Sequence, residues 1–226
     1  MAAAEARYGS AGSPGISAET GRRLERFLDE LYRWNQRINL TAVAPEDAWQ
    51  RHVAESLGLL DAAPVGQGAR VVDVGSGAGI PGIPLALARP DLRLTLLEAD
   101  RRRAGFLTHV AGLLGLDTLT VSARRAEEAG RDPAMRESFD VAVTRAAAPG
   151  PVLCELALPL VRLGGSLVAL VGDPAAEAAA CAAAAAVCGG SVPRTAGTGL
   201  LIVAKERATP ARYPRRAGIP ARRPLS

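Results

Sequence analysis

Alternate glycines between two apolar runs form the most chemically informative stretch of this sequence. The run from Val71 to Val74 predicts a buried strand, and Asp73 is the charged residue within it. The run from Ile80 to Ala88 has prolines where the first turn of a helix accepts them. A turn without side chains between a strand and a helix N-terminus lets a ligand approach bare backbone. The turn glycines are Gly75, Gly77 and Gly79.

The spacing of these glycines distinguishes two classes of ligand. A dinucleotide fingerprint has glycine at its first, third and sixth positions, and the sixth position here is Ile80. The pattern Asp-x-Gly-x-Gly-x-Gly is instead the form found in enzymes that use S-adenosylmethionine (SAM), where the acid orients the turn or reaches the methionine amino group. A glycine-rich turn without a ligand is the alternative. The predicted cofactor contacts of this turn are Asp73, Gly75, Ser76, Gly77, Gly79 and Ile80.

A second carboxylate supports a nucleoside ligand. Leu94 to Leu97 predicts another buried strand, and Glu98 follows it, 19 residues after Gly79. In doubly wound folds an acid at this distance meets ribose hydroxyls, and its two acceptor oxygens match a vicinal diol. The sequence therefore predicts SAM across the carboxyl ends of the first two strands, with its ribose on Glu98.

The elements that must position these residues alternate between strand and helix. This alternation predicts an α/β, Rossmann-like fold of the SAM-dependent methyltransferase type, with a mostly parallel seven-stranded sheet and helices on both faces. After Glu98 the predicted helices span 101–116, 149–162 and 175–187. The predicted strands span 119–122, 139–144, 165–171 and a final antiparallel pair, 191–193 with 200–203.

A helical extension precedes this unit. Apolar residues recur at helical spacing from Leu24 to Leu31 and again from Trp49 to Leu60, and Pro45 marks the start of the second helix. The intervening segment 34–41 has asparagines and a threonine that suit a turn capped by side chains. His52 falls beside the apolar face of the second helix, where a hydrogen-bonded packing role is expected rather than catalysis.

Length and composition limit the class of protein. With 226 residues, 48% of them hydrophobic, one domain with a sizeable core is expected, and no apolar run reaches the length of a membrane span. Three cysteines without ligand spacing to the two histidines indicate a reduced cytoplasmic protein without a structural metal. We expect a monomer. The predicted divisions are a disordered lead (1–16), the helical extension (17–68), the SAM-binding domain (69–208) and a basic tail (209–226).

Positive charge is concentrated in that tail. The chain has a net charge of +4, and residues 209–226 hold five arginines, four prolines and no acid. The prolines exclude a helix, and a stiff basic strip suits RNA phosphates, although a solubilising tail is the alternative. Arginines 101–103 begin a helix where the macrodipole prefers acids, so a solvated face and a phosphate contact both stay open. The predicted RNA-binding residues are Arg102, Arg103, Arg212, Arg215, Arg216, Arg222 and Arg223.

More specific motifs make the sequence resemble the RsmG family, also called glucose-inhibited division protein B, which methylates a guanine N7 in bacterial 16S ribosomal RNA. The likeness extends from about Leu31 to the end of the chain. It is carried by Trp34-Asn35 with Asn39-Leu40-Thr41, His52 with Ser56, Asp73 to Ile83, Leu97-Glu98, Arg102 to Leu107, Phe139-Asp140 with Arg145-Ala146, and Tyr213 to Pro220.

The resemblance implies a cofactor site and a ribosomal substrate. The implied partner is 16S ribosomal RNA or the small ribosomal subunit. Glu55 and Glu98 are one methylene longer than the family's usual aspartates, and Val171 stands where the family's fifth strand usually has lysine. The missing lysine removes a cation expected near the target base or its phosphate. By similarity, SAM is held by Gly75, Ile80, Glu98, Ala126, Glu127 and Arg145.

The motifs around the fourth strand bear on the methyl acceptor. Guanine N7 has an available lone pair, so its methylation needs alignment rather than a general base. Methylation of exocyclic amines usually shows Asn/Asp-Pro-Pro-Tyr/Phe after the fourth strand, where this chain has Thr-Arg-Ala-Ala at 144–147. Methylation of pyrimidine carbon 5 needs a cysteine nucleophile, and Cys154 lies in an apolar helical pattern.

Arg145 is the predicted catalytic residue. It follows the fourth strand, at the edge of the sheet where ligands bind, and it suits the cofactor carboxylate, guanine O6 or a structural salt bridge. Two other functions stay open at this point. One is a SAM enzyme acting on a small molecule or a protein, and the other is an RNA-binding assembly factor with weakened turnover.

Overall fold

The computed structural model describes residues 16–62, 65–145, 147–197 and 199–226. The strands in these ranges are β1 (Arg70–Val74), β2 (Arg93–Leu97), β3 (Leu119–Ser122), β4 (Phe139–Arg145), β5 (Val161–Leu170), β6 (Arg194–Ala196) and β7 (Leu200–Ala204). They form one seven-stranded sheet in the order β3-β2-β1-β4-β5-β7-β6. The first five strands are parallel, and β7 is antiparallel to both of its neighbours. The predicted fold class is confirmed, whereas the predicted disordered lead lies, apart from its last residue, outside the described residues.

Helices precede the sheet and connect its strands. The extension contains α1 (Ala18–Asn35), a 3₁₀ turn (Pro45–Asp47), a π-helical turn (Trp49–Ala54), α2 (Glu55–Leu57) and α3 (Leu59–Ala62). The later helices are α4 (Gly82–Ala88), α5 (Arg101–Leu113), α6 (Ala126–Ala129), α7 (Gly150–Ala157), α8 (Pro174–Val187) and α9 (Ile219–Arg222). The predicted start at Pro45 is confirmed. Within the described ranges, no helix combines the length and apolar character that crossing a bilayer requires.

The core lies on both faces of the sheet. Neighbouring residues of β1 are buried in different hydrophobic clusters, Val71 in one and Val72 in the other. Since side chains alternate across a strand, these clusters occupy opposite faces. Burial on both faces explains why the central strands are continuous apolar runs rather than alternating ones.

The helical extension covers one of these faces. The side chain of Ser17 caps α1 by accepting from the backbone N–H of Thr20, and the apolar stripe of α1 packs on α4 and α5. Leu24, Phe27 and Leu31 of that stripe have no exposed surface. The extension therefore shares the hydrophobic core of the sheet domain.

Three boundary predictions after β4 were wrong. The helix predicted over 149–162 ends at Ala157, because Pro159 lacks the N–H that a continuing helix needs. The chain then enters β5 at Val161 rather than at Gly165, with a shift of register against β4 before Ser166. The last hairpin begins at Arg194 rather than Ser191, since Pro193 cannot donate to a strand ladder.

The basic tail is docked on the domain. Arg215 forms an ion pair with the buried carboxylate of Glu155 in α7 (Nη2 to Oε2, 2.6 Å), and Arg136 donates to carbonyl groups of the tail. Lys205, which is buried, donates to the hydroxyl of Thr209 at the start of the tail. The prediction that the tail cannot be helical is wrong for α9. Its proline lies in the first turn, where a backbone N–H has no acceptor within the helix, so a residue without an N–H is tolerated there.

Candidate active site

A cavity of about 480 Å³ opens at the carboxyl ends of β1, β2 and β4. Its volume is in the range of roughly 300–1,000 Å³ that is typical of small-molecule sites. Most of the residues that line it come from the glycine turn and from the helical extension, and the others lie at or just after the ends of β2 and β4 or in α5. The lining residues are Leu40, Thr41, Ala42, Val43, His52, Gly75, Ser76, Gly77, Ala78, Ile80, Glu98, Arg103, Arg145 and Ala147.

The glycine turn forms the first group, which we call the cofactor wall (residues 75–80 and Glu98). The backbone N–H groups of Gly75 and Ser76 both donate to the carbonyl of Leu97, at 2.9 and 3.2 Å, so the turn is held by the end of β2. Gly75 has φ +73°, and a Cβ added there would lie 2.8 Å from the Cβ of Ala147. Only glycine fits this position without strain.

Glu98 lies inside the cavity rather than in solvent. It is 7% exposed, its Oε2 accepts from the N–H of Gly77 (2.8 Å) and its Oε1 accepts from the N–H of Asp100 (2.7 Å). A carboxylate has about four lone-pair sites, so each oxygen keeps one site for a hydroxyl of a ribose diol. The carboxylate is thus oriented by backbone donors and still available to a ligand.

Two of the predicted cofactor contacts support the turn from behind instead. Asp73 is fully buried, and its Oδ2 accepts from the N–H of Gly82 at the start of α4 (3.0 Å). Its Oδ1 has no partner among the described residues, and burial, with the nearby charge of Glu98, raises the pKa of this carboxyl to about 7. A Cβ on Gly79 would collide with the side chain of Ile83. Neither Asp73 nor Gly79 lines the cavity.

The second group, which we call the acceptor wall, consists of residues 40–43 with His52 and Arg145. Asn35 at the end of α1 holds this loop, because its Oδ1 accepts from the N–H groups of Leu40 (2.8 Å) and Thr41 (3.0 Å). Its Nδ2 donates to the carbonyl of Thr41 (2.9 Å). The turn capped by side chains that the sequence predicts is confirmed, with Asn35 as the capping residue.

A hydrogen-bonded chain connects this loop to the end of β4. His52 is 3% exposed, with Nε2 3.0 Å from the Thr41 hydroxyl and Nδ1 3.2 Å from Nη1 of Arg145. Burial, together with the charges of Arg145 and Arg51, lowers the pKa of His52 to about 4. His52 is therefore neutral at physiological pH. It is hydrogen-bonded and buried as the sequence predicts, but it also lines the cavity.

Arg145 connects the end of β4 to the helical extension. Its Nη1 donates to the carbonyl of Arg51 as well as to His52, and its Nη2 lies 3.2 Å from Oε2 of Glu55. Burial lowers the pKa of Arg145, although an arginine keeps its charge. The sequence suggested a cofactor carboxylate, guanine O6 or a structural salt bridge as its partner, and the structure contains the salt bridge, with Glu55.

Two further residues that the resemblance assigns to SAM lie in the short helix after β3. Ala126 and Glu127 belong to α6, and neither lines the cavity. Oε1 of Glu127 accepts from the N–H of Gly218 in the tail (2.8 Å), so this carboxylate joins the tail to the sheet edge.

The predicted RNA-binding residues fall into two sets. Arg102 and Arg103 are exposed at the start of α5, and Arg103 also lines the cavity and donates to the carbonyl of Asn39 (3.3 Å). Asp100 caps this helix, which supplies the acid that the macrodipole prefers. In the tail, Arg215 is engaged by Glu155, whereas the other four arginines, Arg212, Arg216, Arg222 and Arg223, are exposed.

Sequence reasoning missed the side chains that connect distant segments. Thr41 falls in the predicted turn and Val43 lies two residues beyond it, and no local pattern predicts that either lines the site. Glu155 and Lys205 were not singled out, although Lys205 is the only lysine in the chain. A charged residue inside an apolar run, such as Glu155 between Cys154 and Leu156, is the signal that points to a buried ion pair.

Comparison with known proteins identifies the family of this chain. A family model described as rRNA small subunit methyltransferase G (GidB) matches residues 20–197. The ribosomal RNA small subunit methyltransferase G of Chloroflexus aggregans is 44% identical over 216 residues, covering 90% of this chain and 89% of that protein. The protein of the same name from Moorella thermoacetica is 43% identical over 214 residues and covers 89% of each chain.

Solved structures share the fold at low identity. A protein from Corynebacterium glutamicum has a TM-score of 0.55 at 16% identity, covering 80% of this chain and 90% of that one. The fibrillarin pre-rRNA processing protein of Methanococcus jannaschii has a TM-score of 0.50 at 13% identity, covering 64% and 70%. These two show the fold alone. Because the family model spans most of the sequence and the relatives align over about nine tenths of it, the chain belongs to the rRNA small subunit methyltransferase G family.

Proposed function

We propose that this protein transfers a methyl group from SAM to N7 of a specific guanine in the 16S ribosomal RNA of the small ribosomal subunit. The observation that carries the proposal is one cavity with two walls of different chemistry. The cofactor wall offers bare backbone and the carboxylate of Glu98, and the acceptor wall offers neutral polar groups and Arg145. Membership of a family of ribosomal RNA methyltransferases supports the choice of substrate.

The residues of the cofactor wall fit SAM. Gly75 leaves open the space that a side chain would fill, and Glu98 retains acceptor sites for a ribose diol. Gly75, Ser76, Gly77, Ile80 and Glu98 would hold the cofactor from this side. When bound, SAM supplies an electrophilic methyl carbon: the guanine N7 lone pair forms the C–N bond while the C–S bond breaks, its electron pair stays on sulfur, and no proton is lost.

The chain's own residues then have to align the acceptor and exclude water. Contacts to the carbonyl of Arg51, to His52 and to Glu55 fix the guanidinium of Arg145. Arginine has five N–H donors, so Nε and Nη2 retain hydrogens for a cofactor carboxylate or for guanine O6. This arrangement supports catalysis by orientation, which the unprotonated N7 requires, and it needs no general base.

Exposed arginines in two segments of the protein supply contacts to RNA phosphates. Arg102 and Arg103 lie at the start of α5, where Arg103 also lines the cavity, and Arg212, Arg216, Arg222 and Arg223 lie on the docked tail. Neutralised phosphates release counterions, so RNA affinity should fall steeply with salt. We assign Arg215 to tail docking instead, since its partner Glu155 is buried. A cytoplasmic monomer acting on the small subunit is the working form of the proposal.

Other acceptors predict different outcomes in the same assays. An enzyme for small molecules would keep its activity when the exposed tail arginines are removed, and an assembly factor would bind RNA without turnover. Val171, which replaces the family's usual lysine, donates its N–H to the carbonyl of Gly199 and does not line the cavity.

The decisive experiment is nucleoside mass spectrometry of 16S ribosomal RNA from a strain that lacks the protein. We expect one N7-methylguanosine to disappear and to return on complementation. A single-turnover assay with tritiated SAM and undermethylated small subunits should then show transfer by the purified chain. An unchanged nucleoside profile together with no transfer would refute the proposal.

The role of the tail should be tested by point substitutions rather than truncation. Removing 209–226 would strip Arg215 from the buried Glu155, and an unpaired buried charge destabilises the whole domain. Arg212→Gln, Arg216→Gln, Arg222→Gln and Arg223→Gln leave that pair intact, and each lost phosphate contact should reduce the salt slope by about one. Arg194→Gln, at an exposed position of the edge strand β6, is the matched control.

A further inference from the structure

The hydroxyl of Thr41, in the acceptor wall, has two hydrogen-bonding partners. It lies 3.0 Å from Nε2 of His52 and accepts from the N–H of Val43 (3.1 Å). Thr41 also lines the cavity. In the contact with His52, the Thr41 hydroxyl could donate or accept, and the position of the hydrogen on the His52 ring decides which.

The neighbours of His52 fix its tautomer. Arginine can only donate, so Nδ1 of His52 must be the acceptor for Arg145 and carries no hydrogen. The neutral ring, which the lowered pKa of about 4 supports, then carries its hydrogen on Nε2. His52 therefore donates to Thr41.

Both lone pairs of the Thr41 oxygen are consequently occupied. A hydroxyl has two lone pairs and one hydrogen, and here His52 and Val43 fill the lone pairs. The structure gives no acceptor for the remaining hydrogen within the described part of the chain. Because Thr41 borders the cavity, a ligand there meets a hydroxyl that can donate but cannot accept.

Building on the proposed function, we propose that Thr41 determines base specificity by donating to O6 of the target guanine. Adenine, the other purine with a free N7, presents an amino donor at the same position, where guanine presents an acceptor. A hydroxyl with filled lone pairs would leave that amino group unpaired, and a buried unpaired donor is penalised strongly. His52 is the positioning residue that makes the hydroxyl donor-only.

A coupling experiment tests the contact directly. Wild type and Thr41→Val are compared on small subunits whose ribosomal RNA carries either guanine or 2-aminopurine at the target position, since 2-aminopurine keeps N7 and lacks O6. With guanine we expect Thr41→Val to reduce kcat/KM by about 10- to 100-fold. With 2-aminopurine the same substitution should change it by less than about twofold, since there is no O6 contact to lose.

Binding of both particles in the presence of S-adenosylhomocysteine gives a second readout that does not require turnover. The same non-additivity is expected there. Thr41→Ser, which keeps the hydroxyl, should restore the preference for guanine, and Thr195→Val, at an exposed position of β6, should have no effect on either particle.

Equal losses on both particles would overturn the proposal, because a merely structural Thr41 would affect every substrate alike. Failure of the proposed function has a different signature. In that case wild type would form no N7-methylguanosine on the guanine particle and would bind both particles equally.

Discussion

The two walls of the cavity differ in how the chain builds them. The cofactor wall comes mainly from one run of six residues, 75–80, and presents backbone groups whose positions follow from glycine and strand geometry. The acceptor wall depends on side-chain hydrogen bonds, which hold its loop through Asn35 and join His52 to Arg145, 93 positions further along the chain. The first wall is built from neighbouring residues and suits a cofactor that serves many different substrates. The second is a long-range assembly suited to recognising one substrate.

The largest expected effect is a change to the cofactor wall at Gly75. Arginine at this position would adopt a positive φ, which costs a non-glycine residue about 1–2 kcal/mol, and its Cβ would press on Ala147. The rest of the side chain would fill the space left for the cofactor. We expect Gly75→Arg to weaken SAM binding by about 100-fold or more in calorimetry, since a loss near 3 kcal/mol corresponds to that factor.

The matched control for Gly75→Arg is Gly112→Arg. Gly112 is exposed in α5, and a Cβ there would meet nothing within 4 Å. Replacing a helical glycine should leave SAM affinity unchanged and raise the free energy of unfolding by about 0.5–1 kcal/mol. Unchanged SAM affinity in Gly75→Arg would contradict the assignment of this wall to the cofactor.

A smaller effect is expected from Arg145→Lys in the acceptor wall. Lysine keeps the charge but loses the planar fork that contacts His52, Glu55 and the carbonyl of Arg51. We expect kcat/KM for small subunits to fall by about 10- to 100-fold, which corresponds to one charge-assisted hydrogen bond of about 1.5–3 kcal/mol. Arg162→Lys, which keeps a cation beside Asp140 away from the cavity, should be nearly silent. Comparable losses in both variants would mean that Arg145 has no special role.

The contrast between the walls also explains what the sequence predicts well. The glycine turn, Glu98 and the alternation of strands and helices are encoded in short segments, so their positions follow from local rules. Ala126 and Glu127, assigned by resemblance, do not line the cavity, and Glu127 instead binds the tail. The contacts of Arg215 with Glu155 and of Thr41 with His52 join segments far apart in the chain, and no local pattern specifies such pairs.

Titrating groups at the two walls should make the free energy of unfolding depend on pH with opposite signs. At the cofactor wall the group is Asp73, which lies behind it. Its pKa is about 7 in the fold against an ordinary value of 3.8, so between these values the folded state binds more protons than the unfolded state. The free energy of unfolding should therefore decrease as pH rises from about 4 to 7, by at most about 4 kcal/mol. Asp73→Asn, which does not titrate, should abolish this decrease.

Cofactor affinity gives a second test of Asp73. A cationic ligand near a titrating carboxyl favours its ionised form, so SAM binding should release a proton and strengthen as pH rises through 7. Calorimetry in buffers of different ionisation enthalpy measures that proton. Its persistence in Asp73→Asn would assign it to another group.

His52 in the acceptor wall should give the opposite and smaller dependence. Its pKa is lowered from 6.5 to about 4, so between these values the unfolded state binds more protons than the folded state. The free energy of unfolding should decrease as pH falls from about 6.5 to 4, by at most about 3 kcal/mol. In His52→Asn this decrease should disappear, since asparagine can accept from Arg145 but does not titrate. A decrease of equal size in the variant would show that His52 remains free to protonate in the fold and that Arg145 does not hold its Nδ1.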